Sequence, residues 1–174
     1  MPTNDHTTLA PGSSHSRKLL FITDPVDDRE NVLQFACELA NSYRVDLELC
    51  HVVDPDHSPS MPDGQTGIQY RLEALDRAVR RLKNGVQAIL LFGQAEHVVS
   101  ARAAHMKATL IAVALNGSKT DRIQRRLARN LARECDCPVM TLPPDIRVED
   151  APSLSELFRA KRGWLVKPNR LRWT

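Results

Sequence analysis

Five short apolar runs alternate with longer amphipathic segments along this chain, and this alternation limits the possible fold more than any other feature. The apolar runs cover residues 18–23, 45–53, 86–92, 109–115 and 138–142. Short apolar runs of this kind are typical of strands buried on both faces of a sheet. The segments between them place apolar residues at helical spacing. Strands that alternate with helices require crossover connections, so we predict an α/β domain built on a parallel sheet.

Composition excludes several classes of protein. The chain has 174 residues, which suits one domain with some additional length. Its net charge of +3 does not by itself indicate a nucleic-acid partner. No apolar run approaches the roughly 18 residues that a membrane span needs. The polar residues 1–17 lack the apolar core of a signal peptide, so we expect a disordered lead and a cytoplasmic protein.

Neither the cysteines nor the histidines indicate a metal site or catalysis. The four cysteines are not spaced as a disulfide framework, and Cys135 and Cys137 supply only two of the usual four zinc ligands. Reduced, buried thiols are the expectation, with a redox role for this pair as the alternative. The histidines have no matching nucleophile or ligand set, so no metal is expected and no catalytic residue is assigned.

The candidate site follows from the predicted sheet. Ligands of parallel sheets usually lie beyond the carboxyl ends of the strands. The residues that follow the first four runs are Asp24, Asp54, Gly93 and the pair Asn116–Gly117. A glycine between a strand and a helix is also a common place for a phosphate. The sequence therefore predicts any binding site at this edge.

Several motifs resemble the universal stress protein family over about residues 18–143. KLLFITDPVDDRENVLQFACELA is similar to its first strand, aspartate and first helix, and LELCHVVD to its second strand. GQAEHVVSARAAHMKATLIAVALNG resembles the segment that ends in the fourth strand. RRLARNLARECDCPVMTL resembles the last helix and strand. The four motifs stand in the family's order.

The resemblance implies a five-stranded parallel sheet with helices on both faces, in a Rossmann-like arrangement. Many members of this family bind ATP, whereas others bind no nucleotide. By resemblance, Asp24 and Val52 match positions that contact the nucleotide, and Gly117 and Ser118 match the opening of the phosphate loop. Many members also form dimers through the last strand, which implies a homodimer through the strand at Pro138–Leu142. An unpaired edge strand invites such pairing.

The phosphate loop departs from the family pattern. After Gly117 the family has a glycine beyond two further residues, and Gly-Ser or Gly-Thr nine residues later. Counting forward puts Thr120 and Asn130 at the glycine positions, whereas counting back from Pro138 puts Arg125 and Arg126 where Gly-Ser should stand. Side chains there oppose positive φ values and the close approach of a phosphate. ATP bound in the usual family way is therefore not expected.

Five arginines follow this loop on one face of the predicted fourth helix. They are Arg122, Arg125, Arg126, Arg129 and Arg133, at spacings of three, four, seven and eleven from the first. A solvated face is the simplest interpretation. An alternative is a phosphate site in which Arg125 and Arg126 replace the missing glycines, because guanidinium groups suit phosphate. A nucleic-acid surface is less favoured, since few aromatic residues are available for stacking.

The sequence divides into a lead at 1–17, a domain at 18–144 and a basic extension at 145–174. The extension has seven basic and four acidic residues, and a segment at 154–166 with the pattern of a short amphipathic helix. It is expected to pack on its own domain or a dimer mate, with a protein-binding arm or a disordered tail as alternatives. The predicted function is a non-catalytic regulatory or stress-response binding protein without a resident cofactor. The alternative is a nucleotide-binding protein or nucleotide-using enzyme that takes ATP or AMP at an arginine-based site.

Overall fold

The computed structural model describes residues 17–24, 30–54, 65–81, 86–117, 121–147, 149, 151–159 and 165–166. The predicted disordered lead lies outside these residues, apart from Arg17. In chain order the elements are β1 (Lys18–Ile22), α1 (Glu30–Tyr43), β2 (Asp46–Val53), α2 (Gln65–Arg81), β3 (Gln87–Phe92), α3 (Ala95–Met106), β4 (Leu110–Ala114), α4 (Asp121–Glu134), β5 (Val139–Leu142), α5 (Leu154–Arg159) and β6 (Leu165–Val166).

The strands form one parallel sheet in the order β3-β2-β1-β4-β5-β6. The prediction of an α/β fold with five parallel strands is confirmed. The strand order reverses at the centre of the sheet. The chain runs outward from β1 through β2 to β3 and then returns to form β4 on the other side of β1. In sheets with such a reversal, ligands usually bind at the carboxyl ends of the two central strands, which are β1 and β4 here.

Helices cover both faces of the sheet, as predicted. Successive strand residues point to opposite faces, so Leu19 and Phe21 of β1 pack in the cluster that contains α1, while Leu20 and Ile22 pack with α3 and α4. All four side chains are buried, and the first three have no exposed area. This double burial explains why the strands are uniformly apolar rather than alternating.

The C-terminal extension adds to the sheet in the part that the structure describes. Leu157 of α5 is 1% exposed and joins the core cluster on the α1 face. The Tyr43 hydroxyl at the end of α1 donates a hydrogen bond to the carbonyl of Pro152. Beyond α5, β6 pairs in parallel with β5, with Leu165 beside Val139 and Val166 beside Met140. The sequence pattern placed these two residues in a helix, whereas the structure places them in a strand.

This sixth strand changes the setting of β5, which the sequence placed at the edge of the sheet. β4 lies on one side of β5 and β6 lies on the other. The homodimer through Pro138–Leu142 stays a prediction, since it concerns a second chain. In this structure, that pairing requires β6 to leave the Val139–Met140 part of the strand.

Candidate functional site at the carboxyl edge of the sheet

Asp24 follows β1 at the carboxyl edge of the sheet and forms part of a charged cluster. Its Oδ1 lies 3.8 Å from the Arg71 guanidinium of α2 and 3.9 Å from Nδ1 of His51 on β2. Asp24 and Arg71 are mostly buried, with 24% and 18% of their side chains exposed. The carboxylate that the resemblance assigns to a nucleotide is therefore in contact with a cation from the same chain.

His51 holds Arg71 in this position. The ring is 4% exposed, and Nδ1 lies 3.0 Å from the carbonyl oxygen of Thr23. A carbonyl only accepts, so Nδ1 carries the hydrogen and the neutral ring leaves a lone pair on Nε2. That lone pair accepts a hydrogen bond from the Arg71 guanidinium at 2.5 Å. Arg71 thus bridges His51 and Asp24.

Val52 lies beside this cluster in sequence but on the other face of the sheet. It is half-buried against the residues of α3 and α4, whereas His51 points toward α2. At the end of the same strand, the Asp54 carboxylate accepts a hydrogen bond from the Ala95 amide at 3.3 Å, at the start of α3. Asp54 therefore satisfies one of the free amides that every helix N-terminus presents.

The segment after β4 is short and closes on itself. Gly117 has a φ of 72°, which favours glycine, and a Cβ there would lie 3.4 Å from Pro144. Only three residues separate it from Asp121, the first residue of α4. The Asp121 carboxylate accepts a hydrogen bond from the Asn116 amide at 2.8 Å. Ser118 lies outside the described residues.

The five arginines that the sequence predicts on one helix face lie on the solvent side of α4. Arg122, Arg125, Arg126, Arg129 and Arg133 are all exposed, while Leu127 and Leu131 face the core. Within the described ranges, no carboxylate forms an ion pair with any of the five. The solvated face predicted for them is present. No described contact joins Arg125 or Arg126 to Asp24 or Gly117, so their role at a phosphate stays a prediction.

The thiols of the chain are free and their pKa values are raised. Burial, followed by the charge of Glu134, raises the pKa of Cys135 to about 11. Burial, followed by the Cys135 thiolate, raises the pKa of Cys137 to about 12. Thiolates are the reactive and metal-binding form. No group of three or more His, Cys, Asp or Glu side chains in the described segments is arranged to hold a metal ion.

Sequence reasoning located the edge of the sheet but missed two of its residues. Arg71 lies in the middle of an ordinary amphipathic helix, and nothing in its spacing shows that it reaches Asp24. Asp121 was placed only as the start of a helix. A carboxylate five residues after Asn116, at the head of a helix, is the signal that could have indicated the closed turn.

The sequence model of the universal stress protein family matches residues 15–143. The chain belongs to this family. The family predicted from the four motifs is confirmed, and the match covers most of the chain. A comparison with curated proteins finds no significant match. None of the helices in the described ranges is both long and apolar enough to cross a membrane.

Solved structures of the family share the fold at low sequence identity. A universal stress protein in complex with cAMP has a TM-score of 0.53 and 19% identity, over 75% of this chain and 98% of that one. The Archaeoglobus fulgidus protein in complex with dAMP has a TM-score of 0.52 and 18% identity, over 72% and 96%. A family member from Burkholderia pseudomallei has a TM-score of 0.50 and 23% identity, over 76% and 99%.

Proposed function

We propose that this chain is a non-catalytic, regulatory binding protein of the cytoplasmic stress response that does not hold ATP through a glycine-rich loop. The observation that carries the proposal is the hydrogen bond from the Asn116 amide to the Asp121 carboxylate. The amides of a strand-to-helix turn and the positive end of the helix are where a phosphate binds. In this chain a carboxylate of the protein lies at that place.

Charge explains why the carboxylate opposes a triphosphate. A phosphate that approached the Asn116 amide would meet the negative charge of Asp121 within a few ångströms, where like charges repel strongly. The turn between Gly117 and Asp121 has too few residues to surround three phosphate groups. Asp24 is likewise in contact with Arg71, a cation of the same chain.

Calorimetry tests this proposal directly. We expect no heat of binding when millimolar ATP is titrated into the purified chain. The Asp121→Asn variant keeps an acceptor for the Asn116 amide and removes the charge, so it should bind a phosphate compound more tightly than the wild type. Micromolar binding of ATP to the wild type, weakened by Gly117→Ala, would contradict the proposal.

A second candidate function is the binding of a nucleoside monophosphate at the same edge. The similar structures with cAMP and dAMP support it, since one phosphate needs a shorter loop than three. The Thr23 hydroxyl, next to Asp24, is buried and has no hydrogen-bond partner among the described residues. Such a hydroxyl is costly to leave unpaired, and a bound ligand could supply its partner. Asp24, Val52 and Gly117 all lie at the ends of neighbouring strands.

Titration with AMP separates this candidate from the first. If Arg125 and Arg126 hold its phosphate, their replacement by alanine should weaken AMP binding by about tenfold or more, since each charged hydrogen bond contributes about 1.5–3 kcal/mol. Arg133→Ala is the matched control, because it lies on the same helix face about 12 Å further along. Equal effects at all three positions would indicate a general effect of charge. No heat with AMP would remove this candidate.

A further inference from the structure

No strand of the described residues pairs with the outer side of β3. β3 is the first strand in the sheet order, and among the described residues it pairs only with β2. Its sequence, QAILLF, contains neither a charged residue nor a proline. Proteins usually protect a free edge with charged residues, prolines, bulges or a covering segment, because an unpaired strand binds other strands. β3 lacks the first two forms of protection over its full length.

The hydrogen bonds to β2 identify which residues face outward. The Gly93 amide donates to the carbonyl of Val53 at 3.1 Å, which directs position 93 toward β2. In a strand the amide and carbonyl of one residue point to the same side, and that side alternates along the chain. Ala88, Leu90 and Phe92 therefore direct their main-chain groups to the open edge.

The side chains of these three residues share one face of the sheet. Ala88 lies beside Leu49, whose side chain belongs to the core cluster on the α1 face. Leu90 and Phe92 follow at intervals of two and point the same way. Phe92 is 53% exposed although it is a large apolar residue, and the small Ala88 is also exposed. A bulky and a small apolar side chain thus stand at opposite ends of the outward-facing set.

This set is complementary to itself. If two copies of β3 run antiparallel with a two-fold axis at Leu90, the Ala88 of each copy faces the Phe92 of the other. The two Leu90 residues face each other on the axis. Each outward-facing pair exchanges two hydrogen bonds, which gives about six main-chain bonds across the axis. The large ring of each Phe92 lies over a small neighbour, as good packing requires.

We propose that the β3 edge is the surface through which two copies of this chain form a symmetric dimer with one continuous sheet. The strand has no charge to repel its twin. Pairing across a two-fold axis uses the β3 edge of both copies, so association through this edge ends at two copies instead of growing into a fibre. On the opposite side of the sheet, β6 covers β5 at Val139 and Met140. The proposal is independent of nucleotide binding at the carboxyl edge.

Cross-linking tests the position of the axis. Residues in a hydrogen-bonded antiparallel pair have Cα atoms about 5.5 Å apart, within the range of about 4.4–6.8 Å that a disulfide spans. The Leu90→Cys variant should therefore form a covalent dimer under mild oxidation, seen on a non-reducing gel. Ala88→Cys is the matched control, since its two copies would lie four residues apart, about 13 Å. The wild type shows the background from the native thiols.

Proline substitution tests the edge itself. Ala88→Pro removes an outward amide and leaves the hydrogen bonds to β2 in place, a position that edge strands tolerate. We expect the dimer dissociation constant to rise by about tenfold for each of the two symmetry-related bonds that are lost. Ala88→Thr keeps the amide and should keep the dimer. Molar mass by light scattering and circular dichroism on each variant separate dissociation from unfolding.

Three results would overturn the proposal. The first is a wild-type chain that is monomeric at about 100 μM, far above the dissociation constant of an ordinary dimer. The second is a folded Ala88→Pro variant that remains dimeric, which would place the interface on another surface. The third is equal cross-linking at positions 88 and 90, which would exclude the Leu90 axis.

Discussion

At the scale of single residues, Glu48 is the least expected side chain of the sheet. It lies in the middle of β2, and 7% of its side chain is exposed. Arg102 of α3 donates to both of its carboxylate oxygens, with Nε at 2.7 Å and the second nitrogen at 2.5 Å. A bidentate pair of this kind satisfies a charge that would otherwise be costly to bury.

Removing one member of this pair should destabilise the protein more than removing both. Arg102→Leu leaves a buried carboxylate without its partner, and we expect a loss of about 3 kcal/mol in the free energy of unfolding. The double variant with Glu48→Leu should recover most of that loss. Urea denaturation of the two variants and the wild type measures both values. Equal stability of Arg102→Leu and the wild type would show that the pair contributes nothing.

The buried thiol of Cys50 in β2 makes the free energy of unfolding depend on pH in the alkaline range. Burial, followed by the charge of Glu48, raises the pKa of this thiol from its ordinary value near 9 to about 12. Above pH 9 the unfolded chain releases this proton while the folded chain keeps it. The stability present below pH 9 is therefore lost as the pH rises toward 12, by up to about 1.4 kcal/mol per pH unit.

The Cys50→Ala variant isolates this contribution. Its free energy of unfolding should fall less steeply than that of the wild type between pH 9 and 11. Tyr43 is present in both proteins and its pKa is also raised by burial, to about 12, so only the difference between the two slopes reports on Cys50. Identical slopes would show that the thiol ionises equally in both states.

At the scale of secondary-structure elements, α5 is a short helix stabilised by hydrogen bonds at its N-terminus and by packing against the core. The Ser153 amide donates to the Glu156 carboxylate at 2.7 Å, and the Glu156 amide donates to the Ser153 hydroxyl at 3.3 Å. This reciprocal pair is a capping box. The hydrogen bonds from Ser153 lower the pKa of Glu156. Leu157 then inserts into the core on the α1 face.

The Tyr43 hydroxyl anchors the segment that leads into α5. Tyr43→Phe leaves the Pro152 carbonyl without this donor, and we expect a loss of about 1 kcal/mol in stability. Local opening should also make the chain after Leu142 easier to cleave. Limited proteolysis followed by mass spectrometry measures this effect. Tyr70→Phe is the matched control, because Tyr70 is 52% exposed on α2. Equal cleavage of both variants would contradict an anchoring role.

The elements differ in how well the sequence predicts them, and the reason is physical. The five main strands follow from apolar runs and the helices between them from helical spacing, because burial on two faces forces such apolar runs. The order of the strands in the sheet was not predicted. β6 has two residues, too few to show any period. The pairing of β6 with β5 depends only on tertiary packing. Helical spacing places Ile123 on the same face of α4 as Leu127, yet Ile123 is 45% exposed.

The sequence predicts at which edge of the sheet the candidate site lies, but only some of the residues that form it. The edge of the sheet follows from topology, so Asp24, Asp54 and Gly117 could be named from the sequence. Contacts between distant elements cannot be read from spacing, and the Arg71–Asp24 contact joins α2 to the end of β1. The solvent face of α4 follows from its period, whereas a ligand at Arg125 does not.

At the scale of the whole molecule, the two edges of the sheet have different neighbours. β6 covers part of β5, while β3 is open in the part of the chain that the structure describes. Deleting residues 160–174 removes β6 and keeps α5. The outer side of β5 then has free main-chain groups, and the strand should pair with a second copy.

This effect is clearest when the other edge is blocked. In the Ala88→Pro background we expect the intact chain to be monomeric and the truncated chain to dimerise, as measured by light scattering over a range of concentrations. The carbonyls of Pro138 and Leu142 accept from β4, so the alternate residue Thr141 directs its amide outward, and Thr141→Pro provides the control. If the truncated chain stays monomeric, the predicted homodimer through Pro138–Leu142 has no support at this edge.

The position of β6 after β5 in the sequence has a consequence for synthesis. A ribosome completes β1 to β5 before it reaches residues 165–166, and domains begin to fold as they emerge. Until residues 165–166 emerge, the outer side of β5 lacks this partner strand, and neighbouring chains on one message can pair through it. A ribosome that stalls between β5 and β6 therefore leaves a protein with a different partner surface.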